Sequence, residues 1–168
     1  MKMNIVLTGM MGSGKTMIAK ALAKKLRVPL LSTDGLVEKK ARRKIKDMVA
    51  QKGWEYFRAL EHGIIAQVSK KKGVIIDCGG GVVLDPKNMA LLKKNGIIFY
   101  LEAPPEVLHE RLKNDPHRPL LQVADPLAEL SRIYTERLPL YSQADYIINA
   151  SDASIAGPVE QILAKVKS

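Results

Sequence analysis

Eight residues near the start of the chain, Gly9-Met10-Met11-Gly12-Ser13-Gly14-Lys15-Thr16, read G-x-x-x-x-G-K-T. Each fixed type has a chemical reason. Glycines let the backbone curl so that successive N–H groups converge on phosphate oxygens. A lysine here reaches the β- and γ-phosphates, and the hydroxyl after it is a hard oxygen ligand for Mg²⁺. The neighbours are right as well. Asn4-Ile5-Val6-Leu7-Thr8 is an apolar run that predicts a strand before the loop. Ile18, Ala19, Leu22, Ala23 and Leu26 recur at three- and four-residue intervals and predict a helix after it. Such a helix presents its positive end to an anion. The stretch predicts a bound nucleoside triphosphate.

The acceptor side has to come from other polar residues. In an α/β sheet the carboxyl ends of parallel strands share one edge, where ligands bind. That edge is expected to gather Thr16, Asp34, Asp77 and the run Gly79-Gly80-Gly81. Asp34 either accepts a proton from, or holds, a substrate hydroxyl, or it caps a helix before Gly35. Arg58 and Arg137 could clamp a carboxylate through the guanidinium fork, although singly each also fits a surface ion pair. Arg118, in a Pro- and charge-rich stretch, could close as a clamp on a transferring phosphoryl group. No Cys/His spacing points to a metal centre, and Cys78 reads as packing.

The elements that must position these residues follow in order. Val28 to Leu31 reads as a second strand, and Leu36 to Lys52 as two short helices with a break near Arg43 to Ile45. Gly53 opens a longer helical segment, Trp54 to Lys70, with Phe57, Leu60, Ile64, Ile65 and Val68 on one face. Gly73 to Asp77 is a buried strand, and Asp85-Pro86 starts a helix that stops at Asn95-Gly96. Ile97 to Leu101 is a fourth strand, and a helix from Pro104-Pro105 runs to about Lys113. Asn114 to Leu121 breaks every periodicity and reads as a mobile surface loop. A helix from about Pro126 to Tyr141, a strand Tyr146 to Ile148 and a C-terminal helix complete the chain. Five strands alternating with helices predict a five-stranded parallel sheet covered on both faces, an α/β fold.

At 168 residues one domain, 1–168, is expected. Apolar and charged fractions of 46% and 26% are those of an ordinary globular protein, and no run approaches the ~20 apolar residues of a membrane span. The chain starts almost at once in its first strand, so no signal peptide is expected. A single cysteine fits a reducing cytoplasm. The net charge of +10 suits either nucleic acid or small polyanions. Five Tyr, two Phe and one Trp do not interleave with the basic residues as single-strand binders require, and Lys39 to Lys46 reads as a solvated helix face. Small anions are the favoured partners.

Taken together, Gly9 to Thr16, Thr33-Asp34, Phe57-Arg58-x-x-Glu61, the triple glycine, Arg118-Pro119-Leu120-Leu121, and Arg137-x-Pro139-Leu140-Tyr141 with Ala144-Asp145 resemble the shikimate kinase family in order and spacing. The resemblance runs from the first strand to the last. It implies a nucleoside-monophosphate-kinase-like fold, with a lid at about 113–122 and a substrate-binding helical region at about 33–61. It implies transfer of the ATP γ-phosphate to the 3-hydroxyl of shikimate, by a monomer that takes no nucleic acid or membrane partner. ATP would be held by Gly12, Ser13, Gly14, Lys15, Thr16 and Met17 with Arg118, and Arg111 would lie near the adenine. Shikimate would be held by Asp34, Arg58, Arg137 and the glycines Gly79, Gly80 and Gly81. Lys15, Asp34 and Arg118 would be catalytic, with Mg²⁺ on Thr16. A related kinase acting on gluconate or a nucleotide is the nearest alternative, and a non-catalytic nucleotide- or nucleic-acid-binding protein the more distant one.

The chain departs from the family pattern in one linked place. Before Thr33-Asp34 the pattern has a second aspartate associated with Mg²⁺, and here Ser32 stands. The strand before the triple glycine usually ends in small or hydroxyl residues, and here it carries Asp77. The expectation is that Asp77 supplies the negative charge that Ser32 lacks. A changed substrate preference or a weakened activity is the rival reading.

Overall fold

The computed structural model describes residues 2–115, 119–152 and 154–167. Its five strands are β1 (Asn4–Thr8), β2 (Leu30–Ser32), β3 (Ile75–Asp77), β4 (Gly96–Glu102) and β5 (Tyr146–Asn149). They form one sheet in the order β2-β3-β1-β4-β5, every pairing parallel. The seven helices are α1 (Lys15–Leu26), α2 (Thr33–Ala41), α3 (Ile45–Val68), α4 (Pro86–Lys93), α5 (Pro105–Leu112), α6 (Pro126–Tyr141) and α7 (Ala156–Lys167). Single 3-10 turns lie at Val82–Leu84 and Pro119–Leu121.

Strand periodicity sorts the core into two halves. Ile5, Leu7, Ile75, Phe99, Leu101 and Ile148 point to one face and pack with Ile18, Ala19 and Leu22 of α1 and Val159, Ile162 and Leu163 of α7. The alternate residues Val6, Ile76, Ile98 and Tyr100 face the other way, onto Phe57, Ile64 and Ile65 of α3, Leu92, Leu108 and Ile133. A sheet buried on both faces needs apolar residues at successive positions, which is why β1 is buried throughout.

The expected element order holds, and the ends move for physical reasons. β2 begins at Leu30 because Pro29 has no N–H to give; its carbonyl instead accepts from the Ile75 N–H at 2.9 Å. Gly73 has φ 70° and the Val74 N–H donates to Asn4 Oδ1, so the β3 ladder starts at Ile75. α2 starts at Thr33, three residues before the expected helix. The break near Arg43 is real: Arg42 sits at φ 51° as the α2 C-cap, and the Ile45 N–H that opens α3 donates to Glu38 Oε1. Gly53, at φ 79° and ψ 171°, kinks α3 where the sequence placed the start of a separate helical segment. Gly96, read as a helix stop, is the first residue of β4.

Candidate active site

The carboxyl ends of β1, β2 and β3 open into a cleft of about 910 Å³. β1 delivers the glycine loop. Gly9 and Gly12 have φ of 147° and 81°, and a Cβ on either would run into the Leu101 carbonyl or the Leu112 side chain. Gly14, at φ 84°, is the N-cap of α1. The Lys15 ammonium folds over the loop, donating to the carbonyls of Gly9 at 2.7 Å and Met10 at 2.9 Å, with Ser13 Oγ at 3.4 Å. Gly12, Gly14, Lys15, Thr16 and the exposed Met17 line the cleft, whereas Ser13 is buried beneath it. Arg111 of α5 ties this rim together. It donates to the Gly12 carbonyl at 3.3 Å and to the carbonyls of Ser151 and Asp152 at 2.8 and 3.0 Å. Arg118 lies outside the described residues.

β2 and β3 deliver the acids. Ser32, not Asp34, caps α2: its Oγ accepts from the Gly35 N–H at 3.2 Å. Asp34 sits in the first turn of α2 and lines the cleft. Thr33 is buried, and its Oγ1 accepts from the Gly79 N–H at 3.0 Å, which ties this turn to the glycine run. Asp77 ends β3, is only 5% exposed, and its Oδ2 accepts from the Thr16 hydroxyl at 2.7 Å. Burial raises the Asp77 carboxyl above its ordinary value, against the lowering pull of Lys15, the Thr16 hydroxyl and Lys20. Burial pushes the neighbouring Cys78 thiol far up, so it packs as an inert group.

The triple glycine makes room for side chains from elsewhere. A Cβ on Gly79 would overlap Asp34 Oδ1, and one on Gly81 would overlap the Arg58 guanidinium. Gly80 has only ordinary contacts, but its carbonyl accepts from the Tyr141 hydroxyl. Burial holds that hydroxyl protonated, with its pKa pushed up to about 12 despite Arg137 and Arg58 nearby. Arg58 donates to Glu61 Oε2 at 2.7 Å and lies 5.3 and 5.0 Å from the ring centroids of Trp54 and Phe57. A guanidinium so held keeps one direction of approach to an anion. Arg137, only 8% exposed on α6, reaches the same cleft.

Two groups go beyond the site residues expected from sequence. Glu61 is 1% exposed, its Oε1 has no hydrogen-bond partner, and burial raises its pKa against the pull of Arg58. Its signal was the i, i+3 spacing from Arg58. Tyr141 lies one turn beyond Arg137, a spacing that puts both on one helix face.

The model of the shikimate kinase family matches residues 11–167. The chain belongs to the shikimate kinase family. Among members of that family, the shikimate kinase of Caldanaerobacter subterraneus subsp. tengcongensis is 42% identical over 160 residues, 95% of this chain and 94% of the relative. That of Caldicellulosiruptor saccharolyticus is 44% identical, over 95% of this chain and 93% of its own. Family members also share the architecture. A shikimate kinase from Acinetobacter baumannii, solved in complex with shikimate, superposes with a TM-score of 0.95 at 32% identity, covering 99% of this chain and 93% of that one. The five-stranded parallel sheet with its glycine loop is therefore the fold of an ATP-dependent kinase of this family.

Proposed function

We propose that this protein transfers the γ-phosphoryl group of ATP to the 3-hydroxyl of shikimate. The observation that carries the reading is one cleft that holds the phosphate loop together with two arginines suited to a carboxylate, Arg58 and Arg137, and an acid, Asp34, suited to a hydroxyl. The acceptor's carboxylate is anchored by the arginines, and its hydroxyl is turned by Asp34 toward the phosphate. The acceptor oxygen forms the new P–O bond as the bond to the bridging oxygen of ADP breaks. The hydroxyl proton passes to Asp34. Lys15 turns from the loop carbonyls to the phosphate oxygens, and Arg118 has the charge-stabilising role expected of it. Catalysis of this kind is positioning and charge stabilisation.

The donor set fits Mg²⁺. The Thr16 hydroxyl and the carboxylate beside it are hard oxygen donors, and the described residues contain no cluster of three or more acidic, His or Cys side chains that could cage a metal by themselves. Mg²⁺ commonly takes one or two protein oxygens and completes its shell with phosphates and water. When bound, it neutralises charge on the phosphate oxygens.

No helix among the described residues is long and apolar enough to cross a membrane. A buried, free Cys78 supports a reducing cytoplasm, and we assign the enzyme there as a monomer.

An ADP-release assay with shikimate, quinate, gluconate and nucleoside monophosphates tests the substrate. Shikimate is expected to lead in kcat/KM by at least about 100-fold, since a site built to hydrogen-bond one set of hydroxyls rejects others strongly. Turnover with another acceptor and none with shikimate would overturn the substrate and leave the phosphotransfer standing.

A further inference from the structure

Ser32 and Asp77 are the last residues of adjacent parallel strands, and they are register partners. Paired positions in a parallel ladder lie about 4.8 Å apart and send their side chains to the same face. Both residues line the cleft, so one face offers two neighbouring places for a carboxylate, and this chain fills the second. The jobs are divided accordingly. Ser32 Oγ is engaged with the Gly35 N–H at 3.2 Å and starts the helix that carries Asp34. Asp77 is held from both sides. Its partner in β1 is Leu7, two residues before the glycine loop, and the Cys78 N–H next to it donates to the Leu7 carbonyl at 3.1 Å.

Asp77 also stands apart from the other cleft acids in what it touches. Glu61 is engaged with Arg58, and Glu38 with Lys44 and the Ile45 N–H. Among the described residues, Asp77 is the acid hydrogen-bonded to the phosphate-loop threonine. A buried carboxylate on the hydroxyl that meets the nucleotide's cation matches the strand-end aspartate that holds Mg²⁺ in phosphate-loop enzymes.

We infer that the carboxylate facing the nucleotide-bound divalent cation in this protein is Asp77 at the end of β3, and that the two strand ends are interchangeable hosts for it. An acid moved across the register pair, from residue 77 to residue 32, therefore still serves the cation. This rests on the nucleotide-binding part of the proposed function and is independent of the acceptor's identity.

The test is ADP binding by titration calorimetry, with and without Mg²⁺, in wild type, Asp77→Asn, Asp77→Ser and the double variant Ser32→Asp/Asp77→Ser. Electron paramagnetic resonance of Mn²⁺ bound with ADP is a second readout that needs no turnover. In Asp77→Asn, whose side chain can still accept from Thr16, metal-free ADP binding is expected to stay within about threefold of wild type. The enhancement of ADP binding by Mg²⁺ is expected to fall by about tenfold, the scale on which oriented metal partners act. Asp77→Ser should lose as much, and the double variant should recover most of it.

An Mg²⁺ enhancement within twofold of wild type in a folded Asp77→Asn, with only its melting temperature moved, would make the contact structural and overturn the inference. A double variant no better than Asp77→Ser would overturn the interchange. Failure of the substrate reading looks different: the Mg²⁺ effects would appear as described while shikimate gave no turnover.

Discussion

Gly79 and Gly81 lack side chains because the head groups of Asp34 and Arg58 occupy the space a Cβ would take. The overlap at Gly81 is with the end of a flexible side chain, so a methyl there displaces the guanidinium rather than the backbone. Gly81→Ala is expected to fold with little loss of stability and to raise the acceptor KM by about 10- to 100-fold, with the ATP KM within about threefold, because small misplacements of a positioning group are costly. Gly157→Ala on α7, where nothing lies within 4 Å of the Cβ position, is the structural control. Steady-state kinetics on both decides it; an unchanged acceptor KM in Gly81→Ala would separate Arg58 from the acceptor. Glu61 gives a pH signature. Its folded pKa is raised, chiefly by burial, from an ordinary value of 4.5. The native state then holds a proton more tightly than the unfolded chain does. Its contribution to stability is fully present below pH 4.5 and is lost as pH rises through the folded value. Urea denaturation should show wild type losing stability relative to Glu61→Gln over that window, and parallel profiles would refute the assignment. Asp34, Arg58 and Arg137 were legible as candidates by charge and order, and the structure brings all three to one cleft. Neither Glu61 nor Tyr141 is marked as a site residue by the sequence: Arg58 is a local partner of Glu61, but the burial of Glu61 in the cleft, like the approach of Tyr141 to the Gly80 carbonyl, comes only from tertiary packing.

α3 contains two glycines with opposite meanings. Gly53 has φ 79° and ψ 171°, a region that side chains avoid, yet nothing lies within 4 Å of where its Cβ would be. Its requirement is purely conformational. Gly63 lies within the helical turns, and a Cβ there would meet only the end of Lys40 at 3.9 Å. Gly53→Ala is expected to destabilise the protein by about 1–3 kcal/mol and to raise the acceptor KM, since the kink aims Trp54, Phe57 and Arg58. Gly63→Ala is expected to stabilise by about 0.5–1 kcal/mol through helix propensity. Urea denaturation of the two variants distinguishes them, and like signs would contradict the kink. The break at Gly53 was legible because glycine interrupts an apolar helical pattern there. The ends of β2 and β3 were less so. Leu30–Ser32 and Ile75–Asp77 are three residues each, and their limits depend on which backbone groups the neighbouring strand can pair. Such short strands keep their place through register, and register is what sets Ser32 beside Asp77.

The net charge of +10 takes on meaning once the cleft is described. Among the described residues that line the cleft, six are Lys or Arg and six are Asp or Glu, so their charges balance and most of the excess lies elsewhere. Local recognition in the cleft is therefore a matter of paired, short-range contacts, which are weakly screened. The surface charge acts over a longer distance and draws anions toward the molecule without choosing among them. Salt separates the two, because the Debye length shrinks from about 30 Å at 0.01 M to about 3 Å at 1 M. Raising ionic strength from about 0.02 to about 0.5 M should lower kcat/KM for ATP several-fold. It should lower that for a singly charged acceptor less, because steering scales with ligand charge. Once both ligands are bound the long-range field has done its work, so kcat should stay within about twofold. Equal salt effects on the two substrates would mean that the surface charge serves some other partner. A larger effect on kcat than on kcat/KM would place the screened interactions inside the cleft, against the balance of its lining.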